Sequence, residues 1–408
     1  MEFNYVSDGA CEVPSPGGHA DVDWLMGGAG VGEFDPGSLI PDFAAKPYEV
    51  YCGDAVETIR KLGAGGVRFD CVVTSPPYYR KRRYGKSEQE IGQEKDVNSF
   101  VSSLVRVFRE IPLRPWGSIW VNLGDKRGPN KELLEVPERF AVAMQNAGFF
   151  LVDKVVWAKE VVMVDGTSLG RCMVEPANGR LNENGWEPFY RFVRDPDKAW
   201  SDTCAVRIPR DSRHFFQEGT ETPVAQHPYK LDMECVTSLE GKNASAVWYV
   251  GKSRKGRNFF AAYPSCLVER PIAMTCPEYL VDDGGEIKPR ERIVEPTVYS
   301  EGPGKSKRMI GQYTSTVENL QEKSGRMDSG RQYIPQYPRT LGWTHEDRSV
   351  VGPGIVLDPF GGTGTTGEVA ILLGRRFVGI DLYQDNADRM KERCQKALAR
   401  LRTERRVN

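Results

Sequence analysis

From Tyr48 onward, short apolar runs alternate with stretches of helical period, whereas the first 46 residues show no sustained period. Tyr48-Glu49-Val50-Tyr51-Cys52 predicts a strand, Asp54 to Leu62 a short helix, and Phe69-Asp70-Cys71-Val72-Val73 a buried strand. Phe100, Leu104, Val107, Phe108 and Ile111 recur at helical spacing and predict a helix over 97–111, after which Trp116 to Leu123 alternates into a further strand. A helix at Val136 to Ala147 and a strand at Phe149 to Trp157 continue the alternation. Order returns at Gly354 with the strand Ile355-Val356-Leu357, a helix from Thr365 to Leu373, a strand from Arg376 to Ile380 and a last, basic helix from Asn386 to Arg400. Strands separated by helices in this way argue for an α/β fold, a mostly parallel twisted sheet with helices on both faces.

Between these blocks the periodicity fails, which divides the chain. Residues 1–46 read as an irregular N-terminal extension, and 47–159 as one half of a folded domain. Its other half is split between 259–277 and 351–408. The stretch 160–258 is loose in pattern, and 278–350 is a polar insertion, rich in Gly and Pro and too long for an ordinary loop. There are no internal repeats.

Composition removes several classes. Lys+Arg 55 against Asp+Glu 56 gives a net charge of −1, so attraction to nucleic acid has to come from local patches. No window approaches the roughly 18 consecutive apolar residues of a membrane helix. The opening MEFNYVSDGACEVPSPGG lacks the basic start and apolar run of a signal peptide, so the expectation is a cytoplasmic protein of a bacterial or phage-infected cell. Nine cysteines without a CxxC pair and four unclustered histidines point to buried thiols and to no metal site.

Two motifs carry chemistry. The first, Asp358-Pro359-Phe360-Gly361-Gly362-Thr363-Gly364-Thr365-Thr366-Gly367, lies between a predicted strand and helix, and Asp381 ends the next strand. Glycines let the backbone approach a ligand, the helix start offers N–H groups, and an acidic residue one strand on can accept ribose hydroxyls. Gly362, Gly364 and Gly367 satisfy GxGxxG, so a dinucleotide would fit here as well as S-adenosylmethionine. The second motif is Thr74-Ser75-Pro76-Pro77-Tyr78-Tyr79, directly after a buried strand. Consecutive prolines hold the backbone extended and remove two N–H donors. The Ser75 hydroxyl and the Pro76 carbonyl then form a rigid acceptor pair suited to an NH₂ group, with Tyr78 able to stack on the base that carries it.

Taken together, the motifs resemble those of the amino-group DNA methyltransferases, in which (S/D)PP(Y/F) accompanies FxGxG. The order, SPPY first and FGGTG last, resembles the circularly permuted β group of that family. The resemblance extends to Cys52-Gly53-Asp54-Ala55, Trp120-Val121-Asn122-Leu123-Gly124-Asp125 and Phe259 to Leu267, and covers roughly 48–160 and 258–400. It departs in the length of 278–350 and in Thr363 where a serine is usual.

The resemblance implies a Rossmann-like methyltransferase fold and S-adenosyl-L-methionine as cofactor. It makes 47–159 the catalytic half, 259–277 with 351–408 the cofactor-binding half, and 160–258 the target-recognition region. Ser75, Pro76, Pro77 and Tyr78 become catalytic, while Asp54, Thr74, Tyr263, Asp358, Phe360, Gly362, Gly364, Thr365 and Asp381 become cofactor-binding. The substrate implied is double-stranded DNA, methylated on the amine of a flipped base, with Ser75 favouring cytosine N4 over adenine N6. The absence of a Pro-Cys dipeptide fits a route without a covalent intermediate. Arg80, Lys81, Arg82 and Arg83, with Lys86 close behind, stand at the mouth of the pocket as DNA-binding candidates, and Lys252 and Arg254 beside Lys255 and Arg257 form a second group. A cognate restriction endonuclease is a partner such enzymes can have. A nicotinamide-dependent oxidoreductase would leave Thr74 to Tyr78 unexplained, and a DNA-binding protein with a silent core would not need two intact motifs. Recognition sequence and oligomeric state are left open by the sequence.

Overall fold

The computed structural model describes residues 42–43, 46–85, 87–162, 168–170, 183–206, 245–250, 263–294, 298–301, 307–310 and 340–407. The strands in chain order are β1 (Tyr48–Cys52), β2 (Phe69–Thr74), β3 (Leu113–Asn122), β4 (Phe150–Ala158), β5 (Glu160–Val162), β6 (Ser168–Gly170), β7 (Trp186–Val193), β8 (Val247–Tyr249), β9 (Leu280–Asp283), β10 (Glu286–Pro289), β11 (Arg292–Val294), β12 (Val298–Glu301), β13 (Lys307–Ile310), β14 (Thr340–Trp343), β15 (Ser349–Gly352), β16 (Ile355–Asp358) and β17 (Arg376–Asp381). The α-helices are α1 (Ala55–Ala64), α2 (Val97–Glu110), α3 (Val136–Asn146), α4 (Ser265–Thr275), α5 (Thr365–Leu372) and α6 (Gln384–Val407). They fall into two units, the first formed within 1–201, 246–289 and 349–408, the second within 202–245 and 290–348.

The first unit is built on an eight-stranded sheet of order β1-β17-β16-β2-β3-β7-β4-β8. All its pairings are parallel except those of β7, which runs antiparallel to both β3 and β4. Residues of β2 alternate between two cores: Val72 packs with α1, α2 and α3 through Ile59, Leu104 and Phe140, while Cys71 and Val73 face α4, α5 and α6 through Ile272, Ile371 and Met390. The α/β sandwich read from the sequence is therefore present, with helices on both faces. Local chemistry starts the helices: Asp54 caps α1 by accepting from the Glu57 N–H at 2.9 Å, and Asp96 caps α2 by accepting from Ser99 at 2.8 Å.

Strand order reverses between β16 and β2, so one set of strands fans toward β1 and the other toward β8. In such sheets ligands lie outside the carboxyl ends of the strands at that reversal. The carboxyl ends of β2, β3, β4, β16 and β17 and the amino end of β7 share this edge.

Strand β7 is an element the sequence pattern hides, inside the stretch read as loose. It reads Trp-Glu-Pro-Phe-Tyr-Arg-Phe-Val, and every residue after Trp186 is buried. Glu187, Pro188 and Arg191 interrupt the apolar run, and Arg191 tolerates burial because it reaches Asp153 at 3.1 Å and Ser118 at 3.2 Å. The last helix also runs longer than its apolar period, to Val407. Part of the polar insertion forms a small antiparallel sheet, β10-β9-β15, with Leu280 and Val281 buried.

In the second unit β11 pairs antiparallel with β14, and β12 with β13. Arg292 lies over the Trp343 ring and reaches Asp202 at 2.9 Å. Among the described residues no helix is long and apolar enough to cross a membrane.

Candidate active site

A cleft of ≈ 680 Å³ opens at the strand reversal. Asp54, Ser75, Pro77, Tyr263, Asp358, Phe360, Gly362, Thr365 and Asp381 line it together with Arg82, Arg83 and Tyr383. Residues separated by some 300 positions in the chain thus meet in one cavity because β2 and β16 are neighbours.

The glycine loop connects β16 to α5. Gly362 and Gly364 take φ of +50° and +80°, a left-handed backbone that side-chain-bearing residues adopt only under strain. A Cβ on Gly367 would lie 2.5 Å from the Phe377 ring and 2.8 Å from the Cys394 sulfur, so that glycine lets α5 close onto β17 and α6. Asp381 accepts hydrogen bonds from the backbone N–H of Gly362 at 2.9 Å and of Tyr383 at 3.0 Å, and from Asn386 Nδ2 at 3.1 Å. A carboxylate offers about four acceptor positions, so one remains for a ligand hydroxyl. Burial raises the pKa of Asp381 against the pull of these three donors.

Behind the loop, Asp358 gathers four donors: Thr74 Oγ1 and Thr366 Oγ1, each at 2.6 Å, the Phe360 N–H at 3.1 Å and the Tyr263 hydroxyl at 3.2 Å. Tyr263 also bonds Thr366. Thr74 is fully buried and its hydroxyl is committed to Asp358, so it supports the cleft from behind rather than facing it. Burial lifts Asp358 from 3.8 to about 6, the four donors acting in the opposite sense. A carboxyl whose pKa rises on folding binds protons more tightly in the native state, so stability falls as pH rises from about 4 to about 6, with a slope of up to about 1.4 kcal/mol per pH unit. Chemical denaturation between pH 4 and 7 should show the parent's stability falling more steeply than that of Asp358→Asn, the other raised carboxyls contributing equally to both; parallel profiles would contradict the assignment.

On the other side of Ser75 lies a second polar group. The Tyr78 hydroxyl donates to Glu187 Oε2 at 2.8 Å and lies 3.0 Å from Asn122 Oδ1, and the Ser75 hydroxyl donates to the Tyr78 oxygen at 3.4 Å. Glu187 in turn pairs with Lys159, and both side chains are almost fully buried. Burial raises the Tyr78 pKa well above its ordinary value, with the Glu187 charge adding to the effect. Gly124 leaves room for this arrangement, since a Cβ there would sit 2.5 Å from the Tyr78 ring. Tyr79 points inward and packs on Phe100.

The cations after Tyr79 separate. Arg82 and Arg83 line the cleft. Lys81 lies over the Tyr78 ring at 5.5 Å, and Arg80, in a left-handed conformation, donates Nε to the Glu94 carbonyl. Glu90 fastens this loop by accepting from the Tyr84 and Gly85 N–H groups and from the Tyr383 hydroxyl at 2.6 Å. Lys86, Lys252, Arg254, Lys255, Arg257 and the segment 259–262 lie outside the described residues.

Glu187, Lys159 and Glu90 were not singled out from the sequence. Isolated acidic and basic residues carry no spacing signal; the one hint is the charged Glu187, followed by Pro188, at the head of an apolar run.

A family model for DNA methylase, covering N6 and N4 methyltransferases, matches residues 69–285 and 314–392. The chain belongs to the N6/N4 DNA methylase family. Its sequence is 26% identical to the type II methyltransferase M.SfiI of Streptomyces fimbriatus over 87% of this chain and 93% of that one. It is 36% identical to the type II methyltransferase M.XycI of Xanthomonas campestris pv. cyanopsidis over 39% and 58% of the two chains. A solved structure, PvuII DNA methyltransferase (cytosine-N4-specific), is similar at 15% identity and a TM-score of 0.45, covering 87% of this chain and 92% of that one. As a DNA methylase, the protein uses S-adenosyl-L-methionine, which supplies a methyl group on a positively charged sulfur. The cleft fits that cofactor: a glycine loop with two left-handed residues beside a buried carboxylate holding one acceptor position in reserve suits a ribose, and Ser75 lines the same cavity.

Proposed function

We propose that this DNA methylase is a type II modification enzyme that methylates N4 of a cytosine flipped out of double-stranded DNA at a specific site. One observation carries the reading: Ser75 stands at the carboxyl edge between the cofactor cleft and the Tyr78–Glu187 group, where an extruded base can meet the methyl donor. The motif order is that of the permuted β group, and serine at position 75 favours cytosine over adenine.

The amine of cytosine is a poor nucleophile because its lone pair is delocalised into the ring. Hydrogen bonds from its two hydrogens to the Ser75 hydroxyl and the Pro76 carbonyl would draw the nitrogen toward tetrahedral geometry. They would also aim its lone pair across the cleft. Tyr78 stacks on the base, which leaves the duplex at a cost of a few kcal/mol. Asp381, Gly362 and Phe360 would hold the adenosine end, and Asp358 and Tyr263 the region of the sulfur. Positioning and electrostatics supply the rate, with no covalent enzyme intermediate. Sequence reading is assigned to the 160–258 region outside β7.

Mass spectrometry of nucleosides from DNA treated with the protein and S-adenosylmethionine tests the base. N4-methylcytosine is expected; N6-methyladenine would keep the mechanism and overturn the base.

Arg82 and Arg83 would grip phosphates flanking the flipped nucleotide, since both are exposed and line the cleft. Replacing both with alanine should weaken binding to DNA of any sequence and lower the slope of log affinity against log salt by about 2. Loss at one sequence only, measured by fluorescence anisotropy across a salt series, would make them readers of bases instead.

A further inference from the structure

A serine hydroxyl that is to accept a hydrogen bond from an amine must place its own proton elsewhere. Otherwise the hydroxyl donates to the amine nitrogen and occupies the lone pair that the reaction needs. An aspartate at this position would have no such difficulty, because a carboxylate only accepts. Position 75 carries serine, so something must fix which way its proton points.

The surroundings of Tyr78 do this. Glu187 is an acceptor only, so the Tyr78 hydroxyl has to donate to it, at 2.8 Å. The other near neighbour, Asn122, is held with Nδ2 on the Pro188 carbonyl at 3.1 Å, which turns Oδ1, also an acceptor, toward the phenol. With its proton spent on these acceptors, the phenol oxygen can only accept from Ser75, at 3.4 Å. That is the longest link, of the kind that tightens when a substrate completes a site. The Ser75 proton is thereby parked on Tyr78, and its lone pairs are left for the amine.

Lys159 secures the far end. It pairs with Glu187 Oε1, leaving Oε2 for Tyr78, and the pair is almost fully buried. A buried ion pair contributes little to stability compared with apolar residues of the same volume, so its place beside the motif calls for another reason.

We propose that Glu187, seated by Lys159, is a positioning residue that sets the direction of the Ser75–Tyr78–Glu187 hydrogen-bond chain and so makes Ser75 an acceptor toward the target amine. This rests on the reading of Ser75 given under the proposed function. Glu187→Gln tests it with nearly unchanged shape. Lys159 would draw the amide oxygen of the new glutamine, which would turn its NH₂ toward the phenol oxygen and compete with Ser75 as donor.

The experiment measures tritium transfer from labelled S-adenosylmethionine to plasmid DNA for the parent, Glu187→Gln, Tyr78→Phe and the double variant, with melting temperatures alongside. Glu187→Gln should lower kcat about tenfold with KM for DNA within about twofold. Tyr78→Phe should lose a similar factor, and adding Glu187→Gln to Tyr78→Phe should cost nothing more. Equal further loss in the Tyr78→Phe background, or an effect confined to KM for DNA, would overturn the proposal. Should Glu187→Gln fail to fold, full kcat in Tyr78→Phe would overturn it alone. A fully active Ser75→Ala would show instead that the underlying reading of Ser75 is wrong.

Discussion

Ser75→Ala should lower turnover by about a hundredfold to a thousandfold, the usual cost of removing one preorganised hydrogen-bonding group from a reacting centre. Among the described residues the hydroxyl's hydrogen-bond partner is the Tyr78 oxygen, and Ser75 lines the cleft, so its loss should leave the core intact. S-adenosylmethionine affinity should stay within about twofold, because the proposed function assigns the adenosine end to Asp381, which Ser75 does not touch. Single-turnover methyl transfer at saturating DNA and cofactor, with calorimetry for cofactor binding, separates the two. A parent-like rate would remove the acceptor role, whereas a rate lost only in proportion to cofactor affinity would move Ser75 into the cofactor site.

Asp381→Ala should weaken S-adenosylmethionine binding by about tenfold to a hundredfold, and S-adenosylhomocysteine by the same factor. Hydrogen bonds to a charged group are each worth about 1.5–3 kcal/mol, and Asp381 also pins the glycine loop through Gly362 and the following turn through Tyr383 and Asn386. The ribose is common to both ligands, so the two losses should match. Titration calorimetry showing unchanged affinity would place the ribose elsewhere. A loss seen for S-adenosylmethionine alone would place Asp381 near the sulfur.

The fold and the site differ in how far the chain discloses them. Strands such as Phe69–Thr74 and Ile355–Asp358 are buried on both faces and bounded by turn-forming residues, so their apolar runs stand out. The two motifs stand out because their chemistry needs adjacent residues: tight glycines at a strand–helix turn, or a proline pair after a strand. Strand β7 does not, because paired charges stand among its buried apolar residues and break their run; Arg191 is accommodated there because Asp153 and Ser118 receive it. The same holds for Glu187, whose partners Lys159, Tyr78 and Asn122 come from three other parts of the chain. Thr74 shows the converse. Its place next to Ser75 suggested a contact with cofactor, yet the last residue of β2 faces the neighbouring strand β16, and its hydroxyl meets Asp358.

The central claim is that an exocyclic amine is held against Ser75 and Pro76 beside the cofactor cleft. A crystal structure of the protein with S-adenosylhomocysteine and a duplex carrying its own methylation site tests this most directly. The target base should lie outside the helix, its amine nitrogen within hydrogen-bonding distance of Ser75 Oγ and the Pro76 carbonyl and its ring against Tyr78. A base still stacked in the duplex, or an amine held by other groups, would contradict it.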